Sequence, residues 1–415
     1  MSTTTPGTPA DLVDDSVFIS PGFLDDPYPT YRRLRKSQPV RYVEPMKAWF
    51  LTRAADVRTV LTDDRFVLDY ERYQVNRMGP SAVEQDYFRF GREFVALSDP
   101  PEHTKLRRIF RQPFTPKRVR DLAPAVERFA HECIDRHFSS GGPTNLVHDY
   151  AGAVPEMVLR TLLDVPASDA ELLFGWVEVF YQALEAPPMS DQQLQETNSA
   201  TRDAEQYFLT LIRDRRAALG DDFVSDLLRI NAADDDPMTD GQLASNLYLM
   251  YFAGFDTQKL TFSSMVAALA QHPDAMRYLA EDPARLPGCM DEIYRYDPAS
   301  QMLARTAGED IALSGTTIRR GDTVIMSIGA AARDPELFDD PDTFDIHRGE
   351  LPAVLRHLIF GAGRHHCLGA VQAQSNLPTM LRVLLERLGP MEVDWSAAVR
   401  HPSLASRGYD VLPIV

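Results

Sequence analysis

Apolar residues recur every three to four positions through most of residues 100–285, the spacing of helices that each bury one face. The pattern changes on both sides of that region. Val40-Arg-Tyr-Val43 and Ala48-Trp-Phe-Leu-Thr52 are short strand-like runs, preceded by a loop at Asp26-Pro-Tyr-Pro29 that leads into a helix through Arg35. Between 300 and 330, Ile311-Ala-Leu313 and Thr323-Val-Ile-Met-Ser-Ile328 read as strands around turns at Gly315 and Arg320-Gly-Asp322. Residues 331–350 carry repeated Asp-Pro and Asp-Asp-Pro and predict an irregular loop. A long helix is expected after Cys367, and Val411-Leu-Pro-Ile-Val415 closes as a strand. There is no internal repeat and no low-complexity linker. The pattern predicts a flexible tail over residues 1–20 and one large domain over 21–415, mainly α with small β-sheets.

One helix stands out by length. Thr239-Asp-Gly-Gln242 has the spacing of a capping box, and nothing forces a stop before His272-Pro273. About 32 residues at roughly 1.5 Å each give a rod near 48 Å long, enough to cross a domain. Inside it lies Ala253-Gly254-Phe255-Asp256-Thr257. A glycine in a helix interior costs about 1 kcal/mol against alanine, and Asp256 is a charge in an apolar stretch. These residues alone fit a Gly–Thr kink as well as a reaction site.

Composition narrows the partners. Of 415 residues, 44% are hydrophobic and 25% charged, ordinary for a globular chain. The formal charge of −17 argues against a nucleic-acid partner. Cys133, Cys289 and Cys367 are odd in number and widely spaced, which fits a reducing cytosol rather than a disulfide framework. The N-terminus lacks a basic and an apolar signal region, and the run Leu247–Phe255 is too short to span a bilayer. The expectation is a cytoplasmic protein without a membrane anchor.

Cys367 sits in His357-Leu-Ile-Phe-Gly-Ala-Gly-Arg-His-His-Cys-Leu-Gly-Ala370. Gly361 and Gly363 allow backbone conformations that other residues resist, and the start of a helix just beyond favours a thiolate. Gly369 would let a large flat ligand approach the backbone. A lone thiolate facing a flat ligand suggests haem iron. Two other readings exist: a buried inert cysteine, and zinc held by Cys367 with His357, His365 and His366, which lacks a second Cys/His pair of finger-like spacing.

This stretch resembles the haem-binding loop of the cytochromes P-450, Phe-Gly-x-Gly-x-His-x-Cys-x-Gly. Phe360, Gly361, Gly363, His365, Cys367 and Gly369 fill every fixed position. The resemblance extends from Asp26-Pro-Tyr-Pro29 to the C-terminal strand and matches the soluble bacterial type. It implies haem b (iron protoporphyrin IX) with Cys367 as axial iron ligand, and O2 as co-substrate. Ala253, Gly254, Asp256 and Thr257 match the family's oxygen-facing helix. Gly254 and Thr257 would border a local helix opening, Thr257 would hydrogen-bond oxygen there, and Asp256 would bring protons from solvent. Phe255 and Gln258 depart from the common pattern, where relatives carry histidine and a second threonine. So does Val371-Gln-Ala-Gln374, where relatives often carry Leu-Ala-Arg.

Other positions follow from the same resemblance. His103, Arg107, Arg305 and His365 would bind the haem propionates. Glu292, Arg295 and Arg348 would form a structural triad bracing the loop before the cysteine, although Glu292 and Arg295 at i and i+3 read by themselves as a weak surface pair. Residues 105–120 hold Lys105, Arg107, Arg108, Arg111, Lys117, Arg118 and Arg120 and no acid. That run is either a solvated face or, as the resemblance implies, a dock for an acidic ferredoxin around Arg108 and Arg111. Ferredoxin and its reductase would pass electrons from NAD(P)H. The substrate pocket would draw on residues 70–97, Ala186-Pro-Pro-Met-Ser190, Tyr248–Phe252, Gln301-Met-Leu303 and the turn at Ser403-Leu404.

The implied function is a monomeric haem-thiolate monooxygenase that hydroxylates or epoxidises a small organic molecule in secondary-metabolite biosynthesis. A related alternative is desaturation, or oxidative cyclisation or coupling, without oxygen insertion. An alternative of another class is a haem-binding sensor without turnover, against which the Asp256–Thr257 pair speaks.

Overall fold

Strands from distant parts of the chain meet in one small sheet. The computed structural model describes residues 13–138, 144–184, 188–352 and 358–415. β1 (Val40–Val43) and β2 (Ala48–Leu51) form an antiparallel hairpin. β3 (Phe66–Val67), β5 (Met302–Ala307) and β8 (Thr323–Ser327) complete a five-stranded sheet of order β1-β2-β8-β5-β3. Only β2 and β8 run parallel. Three two-stranded pairs complete the β-structure among the described residues. They are β6 (Ile311–Leu313) with β7 (Thr316–Ile318), β9 (Val399–Arg400) with β10 (Tyr409–Val411), and β4 (Thr144–Asn145) with β11 (Pro413–Ile414). Two strand expectations shift: Ile328 starts a short helix, because Ser327 Oγ caps the Ala330 amide, and the last strand divides at Leu412, whose amide turns to Asn145 Oδ1.

Helices make up the rest. α1 (Tyr28–Ser37), α2 (Ala54–Thr62) and α3 (Tyr70–Met78) flank the sheet, and α4 (Glu102–Phe110) and α5 (Pro116–His137) cover the basic run. α6 (Ala153–Leu163), α7 (Ala170–Leu184), α8 (Asp191–Ala217) and α9 (Phe223–Ala232) surround the central α10 (Asp240–Gln271). α11 (Pro273–Glu281), α12 (Leu286–Tyr296) and α13 (Ala370–Leu388) complete the bundle.

α10 is the rod that its caps predict. Gln242 N–H donates to Thr239 Oγ1 at 3.1 Å, and Thr239 N–H to Gln242 Oε1 at 3.0 Å. Apolar residues lie all round it, so it is buried on every side, as a helix through a core must be. One half packs with α5, α6, α12 and α13; the other packs with α7, α8 and α9. Tyr248 sits among Phe90, Phe94, Phe180 and Phe252 and donates its hydroxyl to Trp176 O at 3.0 Å.

The chain start differs from its expectation. Residues 1–12 lie outside the described residues, but residues 13–20 of the expected tail are packed. Val13 and Phe18 are buried, and Phe18 lies against Phe23 and Phe50 at ring distances of 5.2 Å. The polar composition of residues 1–12 masked these two apolar anchors.

Candidate active site

The Cys367 loop is held by its glycines and its backbone. Gly361 and Gly363 have φ of +74° and +67°, the left-handed region that glycine adopts freely. At 363 a Cβ would also lie 2.5 Å from Leu61 O on α2. The turn closes through Cys367 N–H donating to Phe360 O at 2.8 Å, and the Phe360 ring packs 6.1 Å from Tyr294. The amides of Gly369 and Ala370, where α13 begins, hydrogen-bond the Cys367 sulfur. Burial pushes the thiol up, and those amides and the charge of Arg107 offset it only in part, so it stays above the usual thiol value. The residue is nevertheless exposed, whereas Cys133 and Cys289 are buried. A Cβ at Gly369 would have the Cys367 sulfur, 3.9 Å away, as its one neighbour within 4 Å, so this glycine keeps the thiol face clear.

The zinc reading gains no support. Among the described residues no group of His, Cys, Asp and Glu is placed to hold a metal ion. His357 lies outside the described residues.

Beside the thiol, nitrogen donors converge. His103 and Arg107 share one face of α4, Arg305 is on β5, and His365 precedes the cysteine. The His103 and His365 rings lie 4.2 Å apart. Both Nε2 atoms are buried without a hydrogen-bond partner. Burial, then the charges of Arg107 and Arg364, hold His103 down to about 4. Burial, then Arg305 and His103, hold His365 down to about 3. Burial also lowers Arg305 to about 10, partly offset by Asp99. Two neutral imidazoles with orphaned nitrogens among three guanidinium groups suit a ligand bearing carboxylates. Arg107 also donates to His366 O at 2.6 Å and so braces the thiol loop.

Two members of this cluster escaped the sequence reading. Asp99 accepts the Leu68 amide at 2.8 Å, and its Oδ1 is buried and unpartnered. Its place four residues before His103 was the available signal. Arg364 donates to the carbonyls of Asp64 and Phe66 at 3.0 and 3.3 Å.

On α10, Thr257 is the one exposed residue between Gln242 and Ala270. Its Oγ1 donates to Ala253 O at 2.6 Å, and the helix runs on without a break. Gly254 faces α6, where a Cβ would lie 3.0 Å from Leu159 Cδ2. Close helix packing against Leu159 is what this glycine visibly permits. Asp256 is buried and bound to Lys259 Nζ at 2.6 Å through Oδ1, while Oδ2 has no partner. Lys259, three residues along the same face, was legible in the sequence but unremarked. Gln258 donates to Gly254 O at 2.7 Å and accepts from Asn376 Nδ2 at 3.0 Å. Gln372 donates to Asn376 Oδ1 at 2.5 Å. This chain of amides joins α10 to α13, and Ala253 and Leu368 pack on one apolar cluster. The threonine's helix and the helix that starts just after the thiol are therefore neighbours.

The supporting triad is buried, not a surface pair. Arg295 and Glu292 are 0% and 1% exposed and form a bidentate pair at 2.5 and 2.7 Å. Arg348 reaches Glu292 at 3.2 Å. The two arginines also bind the carbonyls of Ala332, Asp339, Asp340, Pro341 and Thr343. The basic run is partly neutralised: Arg108 pairs with Asp234 and Arg118 with Asp226, both from elsewhere in the chain, and Lys117 pairs with Asp121 one turn along its own helix. Arg111 is exposed and has no ion-pair partner among the described residues.

Several expected pocket residues face other ways. Tyr248 belongs to the aromatic core. Gln301 is buried, donates to Tyr28 Oη and Pro298 O, and shares with Ser403 and Leu404 a cavity of about 10 Å³, room for one water. Ala186 and Pro187 lie outside the described residues.

Comparison with known proteins identifies the family. The family model described as Cytochrome P450 matches residues 41–390. Mycinamicin IV hydroxylase/epoxidase of Micromonospora griseorubida is 35% identical over 367 residues, covering 86% of this chain and 87% of that protein. The 6-deoxyerythronolide B hydroxylase of Saccharopolyspora erythraea is 30% identical over 415 residues, 98% of each chain. The solved structure of P450BioI in complex with hexadec-9Z-enoic acid-ligated acyl carrier protein superposes with a TM-score of 0.87 at 30% identity, covering 95% of this chain and 100% of that one. No helix among the described residues is long and apolar enough to cross a membrane. The chain belongs to the cytochrome P450 family and is a monooxygenase of that family.

Proposed function

We propose that residues 21–415 form one haem-binding unit that acts as a monomer in the cytoplasm and hydroxylates or epoxidises a small organic molecule of secondary metabolism. The observation that carries this reading is exposed Cys367 at the close of the Phe360–Gly369 turn, with its sulfur met by the amides of Gly369 and Ala370. Those amides and Arg107 partly offset the burial that raises this thiol; a thiol that coordinates a metal ion is deprotonated outright, so a cysteine held this way beside a glycine is suited to haem iron. His103, Arg107, Arg305 and His365 hold the propionates. Their orphaned imidazole nitrogens and unneutralised guanidinium charge support that assignment.

Bound there, haem would supply the activation of O2 that, with two electrons and two protons, puts one oxygen atom into the substrate and releases the other as water. The chain's own residues supply the rest. Cys367 donates electron density from its sulfur. Thr257 Oγ1 is the last hydroxyl on the proton path: it both donates and accepts, and it is open on an otherwise buried helix. Asp256 carries protons from the solvent side to Thr257. Glu292, Arg295 and Arg348 keep the 339–348 loop rigid and do no chemistry.

Electrons come from NAD(P)H through a ferredoxin reductase and an acidic ferredoxin. Arg111, unpaired, is a stronger anchor for that partner than Arg108, whose charge Asp234 already offsets. Substrate-dependent NADPH consumption with a surrogate ferredoxin and reductase, together with an oxidised product, tests the reading. Arg111→Glu should lower ferredoxin-supported turnover several-fold with the carbon monoxide spectrum unchanged. Haem binding with no product across a broad panel would favour the sensor.

A further inference from the structure

Gln242 reaches two helix starts at once. Its side-chain Oε1 accepts the Thr239 amide at 3.0 Å, which closes the cap of α10. Its Nε2 donates to Glu102 Oε1 at 2.5 Å, on the first residue of α4. Gln242 is buried, so this bond is shielded from water and counts for more than a surface contact. α4 needs such a hold, because Pro101 at its N-cap gives the first turn no side-chain hydrogen bond. The residue after Glu102 is His103, also buried, whose Nε2 has no partner among the described residues. That nitrogen is placed by its helix, not by a bond of its own. A turn farther along α10, the fully buried Asn246 donates to Glu93 O and accepts the Val95 amide, both at 2.8 Å. α10 thus holds the approach to α4 at both ends, at 93–95 and at 102. Between them lies Asp99, whose carbonyl accepts the His103 amide at 3.0 Å. At roughly 1.5 Å per residue, Thr257 lies about 22 Å beyond Gln242 on the same rod.

We propose that Gln242 is a positioning residue for haem: by gripping Glu102 it sets where α4 presents His103 and Arg107 to the propionates. A hydrogen bond weakens steeply when its donor is misaligned. His103 and Arg107 share one face of α4, so a shift at the start of that helix misaligns both together. Glutamine suits the task because it carries an acceptor for the cap and a donor for the acid on one group. A glutamate at 242 would still complete the capping box, but it would set a second carboxylate against Glu102. One helix thereby carries Thr257 and also seats the helix that binds the propionates.

The grip rests on the reading that His103 and Arg107 hold the propionates, and the test separates the two. Resonance Raman spectra of the ferric holoenzyme report hydrogen bonds to the propionates through their bending bands. Transfer of haem to excess apomyoglobin reports its release. Neither needs turnover. His103→Leu tests the reading: it should shift the bands and speed haem release several-fold. Gln242→Glu should move both readouts in the same direction while circular dichroism shows the helix content kept. Gln242→Glu/Glu102→Gln restores the pair with donor and acceptor exchanged and should return both readouts toward wild type. If Gln242→Glu fails to fold, Glu102→Ala removes the acceptor, leaves the α10 cap intact and should show the same shift and faster release. Wild-type bands and release in Gln242→Glu or Glu102→Ala, or a double variant no better than Gln242→Glu, overturns the grip while His103→Leu still shows its effect. If His103→Leu itself leaves bands and release unchanged, the propionate reading fails, and the grip with it.

Discussion

Asn376 donates its side-chain amide to Gln258 at 3.0 Å, tying the helix that starts behind Cys367 to the helix that carries Thr257. Two departures from the family pattern, at Gln258 and in Val371-Gln-Ala-Gln374, are therefore parts of one structure. Gln372 supports Asn376, and Gln258 passes the chain on to Gly254 O. Buried amides that are fully partnered fix register, because any slip leaves them unsatisfied.

Asn376→Ala should destabilise the folded protein by about 1–3 kcal/mol, the cost of leaving buried polar groups without partners. The double variant with Gln258→Ala should be less destabilised than the sum of the singles, with an interaction energy of roughly 0.5–3 kcal/mol. Urea denaturation of the four proteins checks this. Strict additivity would mean that the amides do not act together.

Glu292 is a buried acceptor for two arginines and for the Asp345 amide at 2.8 Å. Glu292→Gln leaves two guanidinium charges without a countercharge, which should cost about 3–5 kcal/mol. Arg295→Lys should also be damaging, since an ammonium cannot reproduce the bidentate pair and the carbonyl contacts. Chemical denaturation and haem retention measure both.

Asp297 couples the C-terminal turn to the sheet region: it accepts from Arg407 Nε and Tyr28 Oη, each at 2.6 Å. Burial would raise its carboxyl, but Arg407, Arg400, the Tyr28 hydroxyl and Arg333 together hold it below the usual range. A depressed folded-state value adds stability that is full above the ordinary aspartate value of about 3.9 and is lost as pH falls through the lower folded value. The stability gap between wild type and Asp297→Asn should therefore be widest above about pH 4 and should close in stronger acid. Thermal unfolding at several pH values checks it, and a gap that widens on acidification contradicts it.

Much of the fold was legible because its signals are local. The Thr239–Gln242 capping box placed a 32-residue helix to the residue, and alternation placed β1, β2 and β8. The site was legible where its residues lie in one short stretch, as at Phe360–Gly369. What stayed hidden depends on partners far away in sequence. Glu292–Arg295 read as a surface pair because nothing local reveals that the 339–348 loop covers it. The basic run at 105–120 looked unopposed because Asp226 and Asp234 arrive from another helix and the turn after it. The packing of Gly254 was hidden as well, because its neighbour Leu159 lies on α6.

Thr257 and Asp256 give a catalytic prediction. Asp256→Asn should slow turnover by about 10²-fold or more, as for loss of a positioned proton carrier. Thr257→Ala should mainly divert electrons from product, because a hydroxyl that holds a proton is gone while Cys367 is untouched. Product per NADPH consumed separates the two effects.

The most direct measurement is the absorption spectrum of the reduced, carbon monoxide-bound holoprotein beside that of Cys367→Ala. If the Cys367 sulfur is the iron ligand, the wild type shows the red-shifted Soret band of a thiolate-ligated haem, and the variant loses it. A wild type without that band, or a variant that keeps it, contradicts the assignment on which the proposed function rests.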